Sequence, residues 1–241
     1  MKLTVLGKYG PYPKTGAKTS GYLLNAAGEN ISFEMGSGVF SALSEKISPQ
    51  DLSAVIISHF HYDHISDLGV FNYYLESLSR RGKLKCNSRL IVPDVDCPEL
   101  SAIRRLKYFD VQAVNGGDTV LIGDVKFTFF EVKHPVPCLG FRCEAEEKTF
   151  VYSGDTDTCE ELEKNVSGAD MLLADGAFLS RDYRAGGPHM SVGECARIAR
   201  EHGVKTLISH LLPTVGESDY AGEIKAEPLC LIAEEGKTYF I

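Results

Sequence analysis

Ala54-Val55-Ile56-Ile57-Ser58-His59-Phe60-His61-Tyr62-Asp63-His64 is the stretch that decides the reading of this chain. Its first half is a short apolar run of the kind that forms a buried strand. Its second half places three histidines and an aspartate within six positions, although the whole 241-residue chain holds only seven histidines. Imidazole nitrogen and carboxylate oxygen suit zinc, with manganese or iron as alternatives. On a tight loop His59 and His61 share one direction while Asp63 and His64 turn elsewhere, which suits two neighbouring metals better than one.

The same pattern, a strand-like run ending in a residue capable of chemistry, recurs along the chain. Val125 to Val132 ends near His134, Phe150 to Gly154 at Asp155, Met171 to Ala174 at Asp175, and Thr206 to Ser209 at His210. Each of these alone reads equally well as a turn or a structural histidine; together they describe one site beyond the ends of several strands. Upstream, Leu3 to Leu6 reads as a strand. Gly21 to Asn25 and Asn30 to Met35 form a hairpin around Ala27-Gly28-Glu29, followed by a helical stretch from Val39 to Ile47. Helices are predicted over Ile65 to Ser79, Thr158 to Lys164 and Ser191 to His202. The last two open with Thr158/Glu161 and Ser191/Glu194 at capping-box spacing. Alternating strands and helices predict an α/β architecture in one domain, residues 1–241.

The net charge of −8 speaks against a generic nucleic-acid partner, though a bound metal can reverse the local field for a small phosphate ester. Seven cysteines, an odd number with no C-x-x-C, exclude a disulfide framework or a cysteine-rich zinc knuckle and suit a reducing cytoplasm. No apolar run approaches the ~20 residues needed to span a bilayer, and the N-terminus has no signal-peptide pattern. These points predict a cytoplasmic protein without a membrane partner, and leave room for a homodimer.

His-x-His-x-Asp-His after a strand, then His134, then Ser153-Gly154-Asp155-Thr156, then the strand-final His210, resembles the metallo-β-lactamase superfamily over nearly the whole chain. The leader Ser20 to Leu24 and Phe33-Glu34-Met35-Gly36-Ser37-Gly38 resembles it too, with Glu34 where the family carries Asp. The resemblance implies a four-layer αββα sandwich. It also implies that His59, His61 and His134 hold one metal, that Asp63, His64 and His210 hold a second, and that Asp155 bridges them. A hydroxide shared by two divalent ions, zinc first, would be the nucleophile.

Two segments resemble the ribonuclease Z branch: Lys133 to Arg142, and Pro188-His189-Met190-Ser191. In that branch the additional histidine lies near the scissile phosphate. Here His189 precedes a capped helix, whose N-terminus is a natural anion site. Asp175, in the segment where the branch carries Glu, is the predicted hydrogen-bond partner of His189, directly or through water. The implied catalytic set is His189, Asp175 and the ligand Asp63. The branch inserts a tRNA-gripping arm between the third His and the bridging Asp, but His134 and Asp155 are only 21 positions apart. The expected substrate is therefore a small phosphodiester, such as a nucleotide or cyclic nucleotide, and tRNA is not expected. A lactone or thioester hydrolase would leave His189 without a task. A non-catalytic metal sensor would be marked by a missing ligand, and no ligand position is missing.

Overall fold

The computed structural model describes residues 1–241. Elements are numbered in chain order. One seven-stranded sheet runs β14 (Thr238–Phe240), β1 (Lys2–Gly7), β2 (Gly21–Ala26), β3 (Glu29–Phe33), β4 (Ala54–Ile56), β5 (Ser88–Pro93), β6 (Phe109–Val114). Its first three pairings are antiparallel and the three from β3 to β6 are parallel. The other runs β13 (Cys230–Ile232), β12 (Lys205–Ser209), β11 (Met171–Asp175), β10 (Lys148–Tyr152), β9 (Leu139–Ala145), β8 (Val125–Glu131), β7 (Thr119–Ile122). Here β10 to β13 are parallel and β7 to β10 antiparallel.

The apolar runs are continuous because these strands are covered on both faces. In β4, Ala54 and Ile56 enter the core between the sheets, while Val55 enters the core on the other face. In β11, Met171 and Leu173 face the inter-sheet core and Leu172 and Ala174 the opposite side. Successive side chains of a strand point to opposite faces, so every residue in such a run has a hydrophobic layer to enter. Phe33, Phe127, Phe141, Phe150 and Tyr152 fill the middle. Helices α1 (Val39–Ser44), α3 (Leu68–Arg80) and α4 (Pro98–Ile103) cover the first sheet. Helices α5 (Glu160–Val166), α6 (Val192–His202) and α7 (Glu217–Glu223) cover the second. The result is the expected αββα sandwich. No helix is long and apolar enough to cross a membrane.

Two local expectations are corrected. The helix expected over Ile65 to Ser79 is two helices, the short α2 (Tyr62–Ile65) and α3, broken at Ser66–Asp67. Asp67 sits at the start of α3, but its carboxylate accepts the Phe40 N–H at 2.9 Å and so caps α1 instead. The Thr158/Glu161 capping box does not form: α5 starts at Glu160 with Cys159 as its N-cap and no side-chain cap. At α6 the Ser191 hydroxyl accepts the Glu194 N–H, as expected. The Val192 N–H goes to the Phe178 carbonyl, so two of the first donors of this helix are taken by its own chain.

Candidate metal centre

The chemistry-bearing residues leave the same end of both sheets. His59 and His61 follow β4, Glu34 follows β3, His134 follows β8, Asp155 follows β10, Asp175 ends β11 and His210 follows β12. Asp63 and His64 lie on α2, one turn past the β4 loop. Two backbone features make the convergence sterically feasible. Gly154 adopts φ 62°, which lets the chain turn sharply into Asp155. A Cβ on Gly10 would sit 2.0 Å from His210 Nε2, so only glycine leaves that ring its place. Glu34 and His210 themselves hold φ 59°, a conformation tolerated where surrounding structure enforces it.

Donor atoms around one tetrahedral zinc, at bonds of 2.0–2.1 Å, sit roughly 3.3 Å apart. His59 Nε2 is 2.9 Å from His61 Nδ1, and His61 Nδ1 is 3.3 Å from His134 Nε2. In a second group His64 Nε2 is 3.4 Å from His210 Nε2, and Asp63 Oδ2 is 3.2 Å from His210 Nε2 and 3.5 Å from His64 Nε2. Asp155 Oδ2 lies between them, 3.2 Å from His64 and His210 and 3.7 Å from His59. These spacings fit metal ions held by both sets, with Asp155 within reach of each. All seven expected ligands are brought together.

The far side of three of the rings explains why they point inward. The His134 Nδ1–H donates to the Pro188 carbonyl at 3.0 Å; a carbonyl only accepts, so Nε2 is the free lone pair. His59 Nδ1 meets Ser58 Oγ at 2.9 Å. His64 Nδ1 faces Glu34 Oε2 at 3.2 Å, while Glu34 Oε1 accepts the Ser58 N–H at 3.1 Å. Glu34 is fully buried, so the departure from the family's Asp sets a carboxylate oxygen in charge contact with the far edge of His64. Ser58 and the Pro188 carbonyl are partners that sequence reasoning missed; no side-chain motif announces them.

Electrostatics agree with a cation site. Burial depresses the pKa of His59, His61 and His134, favouring the neutral, ligating form. Burial opposes charge on Asp63 and Asp155 too. Yet the surrounding imidazoles hold both carboxylates ionised well below their usual range: His210 and His64 act on Asp63, with His59 joining them at Asp155. Burial also opposes charge on His64, but Asp155 and Glu34 outweigh it and raise that imidazole. Two buried carboxylates in one cluster need compensating positive charge.

His189 and Asp175 pair directly, without water: the Nδ1–H donates to Asp175 Oδ2 at 2.7 Å. Asp175 also accepts the Thr156 and Ala177 N–H groups, and its Oδ1 faces His210 Nδ1 at 3.7 Å. Both of its oxygens thus accept hydrogen bonds, so Asp175 orients its neighbours, and it also lies within metal-ligand distance of Asp155, His189 and His210. His189 Nδ1 lies 4.0 Å from Asp155 Oδ2, beside the cluster. Burial pulls the His189 pKa down, but Asp175 wins and lifts it to about 9. A cleft of about 610 Å³ opens beside His134, with Asp94, Asp96 and Glu131 in its wall. The Asp94 to Asp96 loop is therefore part of the rim.

The sequence profile described as a beta-lactamase superfamily domain matches residues 17–210, which include every one of these ligands. The chain belongs to the metallo-β-lactamase superfamily. Within the superfamily it is 29% identical to the probable metallo-hydrolase YhfI of Bacillus subtilis, over 91% of this chain and 90% of that protein. The crystal structure of YhfI superposes with a TM-score of 0.93 at 28% identity, covering 99% of this chain and 98% of the other. A ribonuclease Z of Methanosarcina acetivorans is 24% identical, over 86% of each chain. A diphosphatase of the PhnP family shares the fold, with a TM-score of 0.77 at 15% identity over 100% of this chain and 97% of that one. By reaction class the chain is a metallo-hydrolase of this superfamily.

Proposed function

We propose that this metallo-hydrolase cleaves small phosphodiesters, nucleotides or cyclic nucleotides among them, at a centre of two divalent ions, zinc first. His59, His61 and His134 would hold one ion and Asp63, His64 and His210 the other, with Asp155 shared. When bound, such ions activate water near neutral pH and offset charge on a phosphoryl group. The observation that carries the reading is the Asp175–His189 pair. Asp175 fixes His189 with Nδ1 protonated and favours its charged form, and the Nε2 of His189 makes no hydrogen bond within the protein. An imidazolium with one N–H tethered and the other free is equipped to bind a phosphoryl oxygen or to protonate a departing alkoxide.

Two further features favour a small substrate. The segment between His134 and Asp155 is spent on the β9–β10 hairpin, closed by Glu146-Glu147, so no arm projects there. The acidic rim of the cleft repels a polyanion such as tRNA.

General acid–base catalysis contributes typically ~10²–10⁴-fold. His189→Ala should lose about that in turnover of a phosphodiester substrate while retaining both metals by elemental analysis. Asp175→Asn should lose less, because the imidazole stays. A His189→Ala enzyme that cleaves phosphodiesters at the wild-type rate, or a wild type that prefers lactones or thioesters, would overturn the reading.

A further inference from the structure

Asp157 is a buried carboxylate that neither the ligand sets nor the Asp175–His189 pair uses; its side chain is 1% exposed. It stands two residues beyond Asp155 and gathers three donors from two other segments. The Tyr183 hydroxyl donates to Oδ1 at 2.6 Å, and the Gly186 N–H donates to Oδ2 at 2.7 Å. The Lys133 ammonium reaches Oδ2 at 3.0 Å. The backbones agree, with the Asp157 N–H donating to the Lys133 carbonyl at 2.9 Å and the Lys133 N–H donating to Thr156 Oγ1 at 3.1 Å. Three site-bearing segments therefore meet on one side chain: the one ending in His134, the one containing Asp155, and the loop leading to His189.

That loop needs an anchor. Its start is held at Ser180 by Glu223, and its end by the Phe178–Ser191 bridge and by the Phe178 N–H on the Met190 carbonyl. Between Tyr183 and Gly187 the remaining hydrogen bonds stay within the loop and its approach: Tyr183 N–H to Leu179, Gly187 N–H to Arg184, and the Arg184 guanidinium to the Arg181 and Tyr183 carbonyls. Asp157 fixes two residues of this stretch from outside, and Thr158, its neighbour in the chain, adds a bond to the Tyr183 side chain. Immediately after it come Pro188, whose carbonyl sets the tautomer of His134, and His189 itself.

We propose that Asp157 is a positioning residue for both tasks: by clamping Tyr183 and Gly186 it places the Pro188 carbonyl against His134 and His189 beside Asp155. The role of His189 in this proposal rests on the phosphodiesterase reading; the role toward His134 does not. Replacing a partner that orients a metal-bound histidine costs typically 10–100-fold in metal affinity. Asp157 acts one link further away, so Asp157→Ala should weaken binding of one of two zinc equivalents about 10-fold and leave the other unchanged, measured by competition with a chromogenic chelator. Phosphodiester kcat should fall ~10–100-fold with KM nearly constant, since misplacement of a catalytic group acts on the reacting geometry.

Asp157→Asn should keep part of both, because the amide oxygen still takes the Gly186 N–H while the Tyr183 hydroxyl turns to accept from the amide nitrogen. Tyr183→Phe, which removes one bond at a half-buried ring, should show the mildest form of the same pattern and serves if Asp157→Ala does not fold. Wild-type zinc affinities and kcat in these variants would overturn the proposal. Equal loss of both zinc equivalents together with a lower Tm would overturn it too, as that is what general loosening of the fold produces. A wild-type protein inert toward phosphodiesters would defeat the functional reading, while the selective zinc loss would still decide the part concerning His134.

Discussion

At the residue scale the far edges of several ligand rings are backed: His134 by the Pro188 carbonyl, His59 by Ser58 and His64 by the carboxylate of Glu34. Glu34 shows how strict this is. One of its oxygens takes the Ser58 N–H and the other faces His64 Nδ1. A glutamine there must aim its NH₂ at one of these, and both are donors if His64 ligates through Nε2. Glu34→Gln should therefore weaken binding of the ion proposed at Asp63, His64 and His210 by about 10–100-fold. The ion proposed at His59, His61 and His134 should be spared, as read by stepwise metal titration. Loss of neither ion would remove the orienting role assigned to Glu34. The ligands themselves were legible because His-x-His-x-Asp-His is local in sequence. Ser58, Glu34 and the Pro188 carbonyl were not, since their meaning is a distance to a residue far along the chain.

At the scale of elements, strand ends were legible and helix starts less so. A strand buried on both faces announces itself by an unbroken apolar run. A helix start depends on which donor wins a cap, as when Asp67 turns to α1 and Thr158 is passed over for Cys159. The β9–β10 hairpin carries a testable strain. Its two turn residues, Glu146 and Glu147, hold φ 53° and 58°, the left-handed region required by a two-residue hairpin turn and ordinarily filled by Asn-Gly. Glu146 is tied to the N-terminal amine and the Ala27 N–H, whereas Glu147 is exposed. A left-handed L-residue costs ~1–2 kcal/mol and glycine gives back ~0.5–1 kcal/mol in chain entropy. Glu147→Gly should thus raise Tm by about 1–4 °C for a domain of this size, seen in a thermal melt, with metal content unchanged. A lower Tm would show that the turn is relaxed as it stands.

For the whole molecule, two sheets bring their strand ends to one edge, and metal binding and folding become linked there. The buried carboxylates Asp63 and Asp155 are stabilised by whatever positive charge shares the cluster. Protein purified without chelator should carry close to two transition-metal equivalents. Ligand that binds only the folded state at 100 times its Kd adds ~2.7 kcal/mol per site, which corresponds to roughly 5–10 °C in Tm here. Chelation should lower Tm by at least that much and readdition of zinc should restore it. An unchanged Tm on chelation would argue that the cluster holds no structural share of metal.

The sequence by itself determined an α/β architecture with its chemistry-bearing residues at strand ends, and its resemblance to the metallo-β-lactamase superfamily implied the αββα sandwich and the ligand sets. Continuous apolar runs require layers on both faces, and sites in such folds gather beyond the strand ends. Hydrophobic periodicity and donor chemistry are written locally, so they can be read locally. Tertiary structure decided what depends on distance between remote segments. It closed the Asp175–His189 hydrogen bond without water, set Glu34 against His64, turned the Val192 N–H at the start of α6 to the Phe178 carbonyl, and gathered Lys133, Tyr183 and Gly186 onto Asp157. Each is an interaction of short range, fixed only when the two sheets have packed and brought distant parts of the chain within about 3 Å, the reach of a hydrogen bond.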